Sequence, residues 1–77
     1  MGMANDLSEK LALDACNAAE ALDDETIPEM IAISVGTTSP TTEELYRTAV
    51  RVIQAERRAR KLLDARIKAA EDKLSLK

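Results

Sequence analysis

Histidine is absent from this 77-residue chain, and with it the side chain that most often serves as general acid or base near neutral pH. The one cysteine, Cys16, has no imidazole to activate it, no second thiol to pair with inside the chain and no histidine to join it around zinc. Glycine occurs only at Gly2 and Gly36, too sparsely for a glycine-rich phosphate cradle. The carboxylates are scattered rather than set at metal-ligand spacing, and a carboxylate-only site on so short a chain would lack a cleft of ordinary pocket size. We therefore expect no enzyme activity, no cofactor and no metal. Long apolar runs and a signal-peptide pattern are also missing, which argues against a membrane span and, with the unpaired thiol, for a reduced, cytoplasmic setting. The opening Met1-Gly2-Met3 reads as a cloning remnant ahead of a natural Met3, and Asp6 stands where a myristoylation signal needs Ser or Thr.

What the chain does have is alanine and charge. Hydrophobic residues make up 45% of it, but thirteen of them are alanine and the only aromatic is Tyr46, so the core they can build is thin. Chains of this length lie near the size at which one core is only marginally sufficient, and with no disulfide or metal the remaining common device is association with another chain. The net charge of −3 conceals a gradient: ten acids stand against Lys10 alone up to Tyr46, and ten bases against four acids from Arg47 onward. The chain is thus a charge dipole along its length.

Three helices are expected in a single domain over 1–77. Asn5 or Asp6 can cap a first helix over 5–22, with Glu9 closing a capping box on Asp6. Leu7, Leu11, Ala15, Ala18 and Leu22 recur on one of its faces at helical spacing, while Cys16 shares an alanine-rich face with Ala12 and Ala19 and reads as a small buried residue. Thr26-Ile27-Pro28-Glu29 joins a capping residue, a first-turn proline and an acid, the signs of a second helix over 27–35 that Gly36 stops. The third helix, over 41–75, has two available starts: Ser39 caps with Pro40 in the first turn, or Thr41 caps with Glu44 closing the box. No Gly or Pro interrupts it, so it runs about 50 Å if straight, more than the first two helices can cover. The alternative is a break at the polar Glu56-Arg57-Arg58 run.

On a wheel of roughly 100° per residue, Leu45, Ala49, Val52, Glu56, Ala59, Leu63, Ile67, Ala70 and Leu74 lie close to one line. Tyr46, Val50 and Ile53 widen the apolar face of the first half, as packing into a small core demands, and the second half narrows to a seam suited to helix-on-helix pairing. The expected fold is all-α: a small three-helix protein with two short N-terminal helices and a long C-terminal helix, forming a helical homodimer through Val52, Glu56, Ala59, Leu63, Ile67 and Ala70. Glu56 interrupts the seam, either as an edge residue paired with Arg60 or as a polar register-setter.

The basic residues divide by face. Arg47, Arg51, Arg57, Arg58, Lys61 and Lys68 lie opposite the seam and are expected to face solvent, while Arg60 and Arg66 flank the seam. Local pairs at i,i+4 join Glu43 to Arg47, Glu56 to Arg60 and Asp64 to Lys68. Tyr46, Arg47, Arg51 and Arg58 form the candidate surface for an unidentified protein partner, an aromatic beside cations being a common anchor. The expected function is that of a small protein-protein interaction module, an inhibitor, anti-activator or adaptor that occludes a surface, of a size that suits a phage or mobile element. Presenting the acidic N-terminal half as a nucleic-acid mimic is one way such a module could bind.

The competing class is a helix-turn-helix DNA-binding regulator. Ala32 stands four residues before Gly36, and a new helix opens beyond it. Three features weigh against nucleic acid: Glu43 and Glu44 open the would-be recognition helix where phosphates want cations, Thr37 and Thr42 fill places such motifs keep apolar, and the whole chain is acidic.

Overall fold

The structure is a computed structural model that describes residues 2–75; Met1, Leu76 and Lys77, included in the expected 1–77 domain, lie outside the described residues. The described residues form three helices and no strand: α1 (Met3–Leu22), α2 (Ile27–Gly36) and α3 (Pro40–Ser75).

The helix ends differ from expectation where backbone groups found closer partners. Gly2 stands at the start of α1 and its carbonyl accepts the Asp6 N–H at 3.1 Å, so neither Asn5 nor Asp6 caps the helix. Asp6 falls inside the first turn instead, where its charge complements the positive end of the helix dipole. At the other end Asp23 takes a left-handed conformation (φ 51°, ψ 48°). Its N–H donates to the Glu20 carbonyl at 3.3 Å and the Asp24 N–H reaches back to the Ala19 carbonyl at 2.9 Å, the paired bonds of a Schellman stop.

Thr26 does not cap α2 with its hydroxyl. Asp24 accepts both the Thr26 N–H, at 3.0 Å, and the Thr26 hydroxyl, at 2.6 Å, in an Asx turn that holds the Asp24 carboxyl below its usual range. Gly36 is the last residue of α2 rather than a left-handed stop, and the chain continues through Thr37 in right-handed geometry. Its small size makes room for a neighbour, because a Cβ there would lie 2.7 Å from the carboxyl carbon of Glu43. Of the two starts open to α3, Ser39 supplies the cap. Its hydroxyl accepts the Thr42 N–H at 3.1 Å and donates to the Thr42 hydroxyl at 2.7 Å, with Pro40 as first helical residue.

α1 and α3 run side by side in the same direction: Asn5 and Glu9 share a groove with Glu44 and Leu45, and Asn17 and Glu20 meet Arg57. The shorter α2 packs on both, and Ala12, Ala15, Cys16, Ala32, Tyr46 and Val50 form the core, edged by Ile27, Ile31, Ala49 and Ile53. The buried face of α1 is therefore Ser8, Ala12, Ala15 and Cys16, which takes Ala15 from the leucine-bearing face but leaves its leucines outside: Leu7 is 60% exposed, and Leu11 and Leu22 are exposed as well. Tyr46 gives the reason. Its side chain is 1% exposed at the centre of the bundle, and a ring so enclosed needs the close helix approach that alanines allow and leucines would prevent.

α3 continues unbroken through Glu56-Arg57-Arg58. Every residue from Arg58 to Ser75 is exposed, a bare stretch of about 27 Å. The radius of gyration is accordingly 16.7 Å, against about 11.5 Å for a compact chain of this length.

Candidate functional site

The residues expected to meet a partner protein do not form one surface. Tyr46 is buried, and its hydroxyl donates to the Pro28 carbonyl at 2.9 Å; burial is also the main cause that raises its pKa. It is a core residue of the α2–α3 contact, not an anchor for another molecule. Arg47 is half-buried and occupied on both sides. Its terminal nitrogens donate to the two Glu29 carboxylate oxygens at 2.7 and 3.0 Å, and its Nε donates to Glu43 at 2.9 Å. The hydrogen bonds from Arg47 hold the Glu29 carboxyl below its usual range. Arg51 and Arg58 remain exposed, Arg51 at 3.8 Å from Glu44.

Arg57, expected on the solvent face, is also half-buried, donating to Asn17 at 2.6 Å and to Glu20 at 3.2 Å. The signal was available: Arg57 follows Val50 by seven residues and Ile53 by four, which places it on the side of α3 that faces α1. Of the local ion pairs, Glu43–Arg47 and Glu56–Arg60 form, the latter at 2.7 Å, whereas Lys68 lies 3.9 Å from Asp72 rather than pairing with Asp64.

The α3 face that includes Val52, Glu56, Ala59, Leu63, Ile67 and Ala70 is exposed along its whole length, with Ile67 at 48% and Val52 at 63%. Near the body this face borders a groove of ≈ 440 Å³ between α1 and α3, walled by Leu13, Leu45, Ala49, Val52 and Ile53, with Glu9 and Glu44 on its lining. Leu13 escaped the sequence reading because it belongs to neither periodic face of α1, yet it lines the groove with Leu45. A second apolar strip, Met3, Leu7, Leu11 and Leu22, runs along α1.

Where α1 ends, a wider cleft of ≈ 660 Å³ sets Glu20, Asp23 and Glu25 against Arg57, Arg58 and Lys61. Cys16 also lines it, but burial raises the thiol pKa, the opposite of what a nucleophile needs. Among the described residues no group of three acids or thiols could hold a metal ion, and no helix is long and apolar enough to cross a membrane. The α2–α3 corner has a three-residue turn, Thr37 to Ser39, but Glu43 is tied to Arg47 and the exposed start of α3 carries Glu44. No protein-family model, curated protein or solved structure matches the chain.

Proposed function

We propose that the chain is a protein-protein interaction module that works as a homodimer, its subunits joined along the exposed face of α3. The observation that carries this reading is surface area. A folded monomer of 8.4 kDa exposes about 4,600 Å², whereas this chain exposes 6114 Å². The excess, about 1,500 Å², is more than the roughly 800 Å² that each partner contributes to a standard interface. Large apolar side chains are exposed within it, Val52, Leu62, Leu63, Ile67 and Leu74 on α3. Burying them would supply the core that the alanine-rich interior of one subunit lacks.

Once the α3 face is covered, the α1 strip of Met3, Leu7, Leu11 and Leu22 is an apolar face left for a different protein, with Arg51 and Arg58 as exposed cations on the other helix. Recognition of that partner would be the function, by occlusion in an inhibitor or anti-activator and by bridging in an adaptor. Sedimentation equilibrium tests the dimer: the wild type should show twice the 8.4 kDa chain mass, and Leu63→Glu should halve it while leaving the helical circular-dichroism signal of the body intact. A wild type that stays monomeric at high micromolar concentration would overturn the reading. The three-residue turn before α3 favours the DNA-binding alternative, which predicts affinity for random duplex DNA that falls steeply with salt; no binding at low salt would remove it.

A further inference from the structure

We infer that the second copy lies antiparallel along α3, with the bare half of each α3 seated against the α1–α3 body of the other subunit. This rests on the dimer proposed above and adds its direction and register. The first argument is shape. Up to Arg57, α3 is flanked by α1 and α2; the exposed stretch from Arg58 to Ser75 spans about 27 Å, with only the end of α1 bordering its first residues. A parallel pair would set the two bare halves together as an unsupported two-helix rod. An antiparallel pair instead lays each bare half beside the other subunit's body, where Leu13 of α1 widens the apolar wall.

Charge points the same way. Beside the exposed face, the body carries Glu9 and Glu44, while the bare half carries Arg60, Arg66 and Lys73 against Asp64 and Glu71, leaving it net positive. Parallel packing would bring like charges together at both ends, a repulsion that selects against that arrangement, and antiparallel packing would bring opposite charges together.

Register follows from the spacing of the apolar residues. An antiparallel axis between Ala59 and Arg60 sets Leu45 opposite Leu74, Ala49 opposite Ala70, Val52 opposite Ile67 and Glu56 opposite Leu63. Leu45 and Leu74, and Val52 and Ile67, then pair large with large, alanine meets alanine between them, and at the axis the small Ala59 faces Arg60, a residue at the edge of the face. Leu74 of the second copy would reach the groove of ≈ 440 Å³ beside Leu13.

Cysteine cross-linking on a Cys16→Ala background tests the arrangement, since a disulfide needs Cα atoms about 4.4–6.8 Å apart. Ala49→Cys and Ala70→Cys are prepared as separate proteins, one with a mass tag, and oxidised with copper-phenanthroline alone and after mixing. The antiparallel register predicts a covalent heterodimer in the mixture at least tenfold above the homodimers formed by either variant alone. Homodimers from the separate samples would indicate a parallel pair and overturn the inference while leaving the dimer standing. A dimer by sedimentation with no cross-link in the mixture would overturn the register, and monomers by sedimentation would overturn the dimer as well.

Discussion

Two buried hydroxyls in the core have opposite standing. The Tyr46 hydroxyl is bonded to the Pro28 carbonyl, whereas the Ser8 hydroxyl, 2% exposed among the alanines of α1, has no partner. A buried polar group without a hydrogen bond is a liability, and alanine is also the better helix former. Ser8→Ala should therefore stabilise the protein by about 1 kcal/mol, while Tyr46→Phe, which strips the Pro28 carbonyl of this donor, should destabilise it by about 1–2 kcal/mol. Urea midpoints that move in opposite directions at unchanged slope would bear this out; a Ser8→Ala midpoint below wild type would contradict it. The contrast also shows what was legible at single positions. Cys16 could be read as buried because its alanine neighbours share its face. Tyr46 was legible as part of the apolar face that packs into the core and also as a partner anchor; its hydrogen bond was not, because what claims its hydroxyl is a backbone carbonyl eighteen residues earlier, and no side-chain pattern announces a carbonyl.

Between elements, α2 is held to α3 by a charged clamp as well as by Tyr46. Glu29 on α2 and Glu43 on α3 both accept from Arg47, and Gly36 leaves the space in which Glu43 lies. The Glu29 carboxyl is held below its ordinary 4.5 by the Arg47 hydrogen bonds, so the unfolded chain takes up a proton at a higher pH than the folded one. The clamp's contribution should thus be complete above about pH 4.5 and be lost as the pH falls through the depressed folded-state value. Asp24, held down by Thr26, adds a slope of the same sign slightly lower, from 3.8. Glu29→Gln should flatten the acid limb of a stability-pH curve, leaving the Asp24 portion; an unchanged limb would mean that the clamp does not form in solution. The sequence exposed Glu43–Arg47 through its i,i+4 spacing but hid Glu29, since a bond between helices depends on how α2 crosses α3. Helix ends were legible to the same degree. Ser39-Pro40 could be read as one of two starts, but Asp24 displaced Thr26 as the group that caps the α1–α2 turn once Asp23 had turned left-handed.

For the whole molecule, the length of α3 was legible because no Gly or Pro interrupts it, and its apolar line was legible from periodicity. Which face of α1 would be buried was not, because that choice is made by Tyr46 rather than by the hydrophobicity of α1 itself. The outcome is a subunit with a small core, three alanines with Cys16, Tyr46 and Val50, and with many of its larger apolar residues outside, and such a subunit has little to gain from folding alone. Association should then add most of the stability, so that the dimer melts directly to two unfolded chains above the temperature at which a lone subunit unfolds, and mass action couples its stability to concentration. Two chains of 77 residues at about 0.7 kcal/mol per residue have an unfolding enthalpy of roughly 108 kcal/mol near 60 °C, which implies a Tm that rises by about 5 °C for each tenfold increase in protein concentration. Thermal melts by circular dichroism from 2 to 200 µM should therefore spread over about 10 °C. The Leu63→Glu chain should melt lower and at one temperature throughout that range, because a monomer has no concentration term. A wild-type Tm independent of concentration, with the chain monomeric by sedimentation, would mean that the alanine core and the Tyr46 and Arg47 contacts suffice to hold one subunit folded, and that the long exposed face of α3 is not needed for folding.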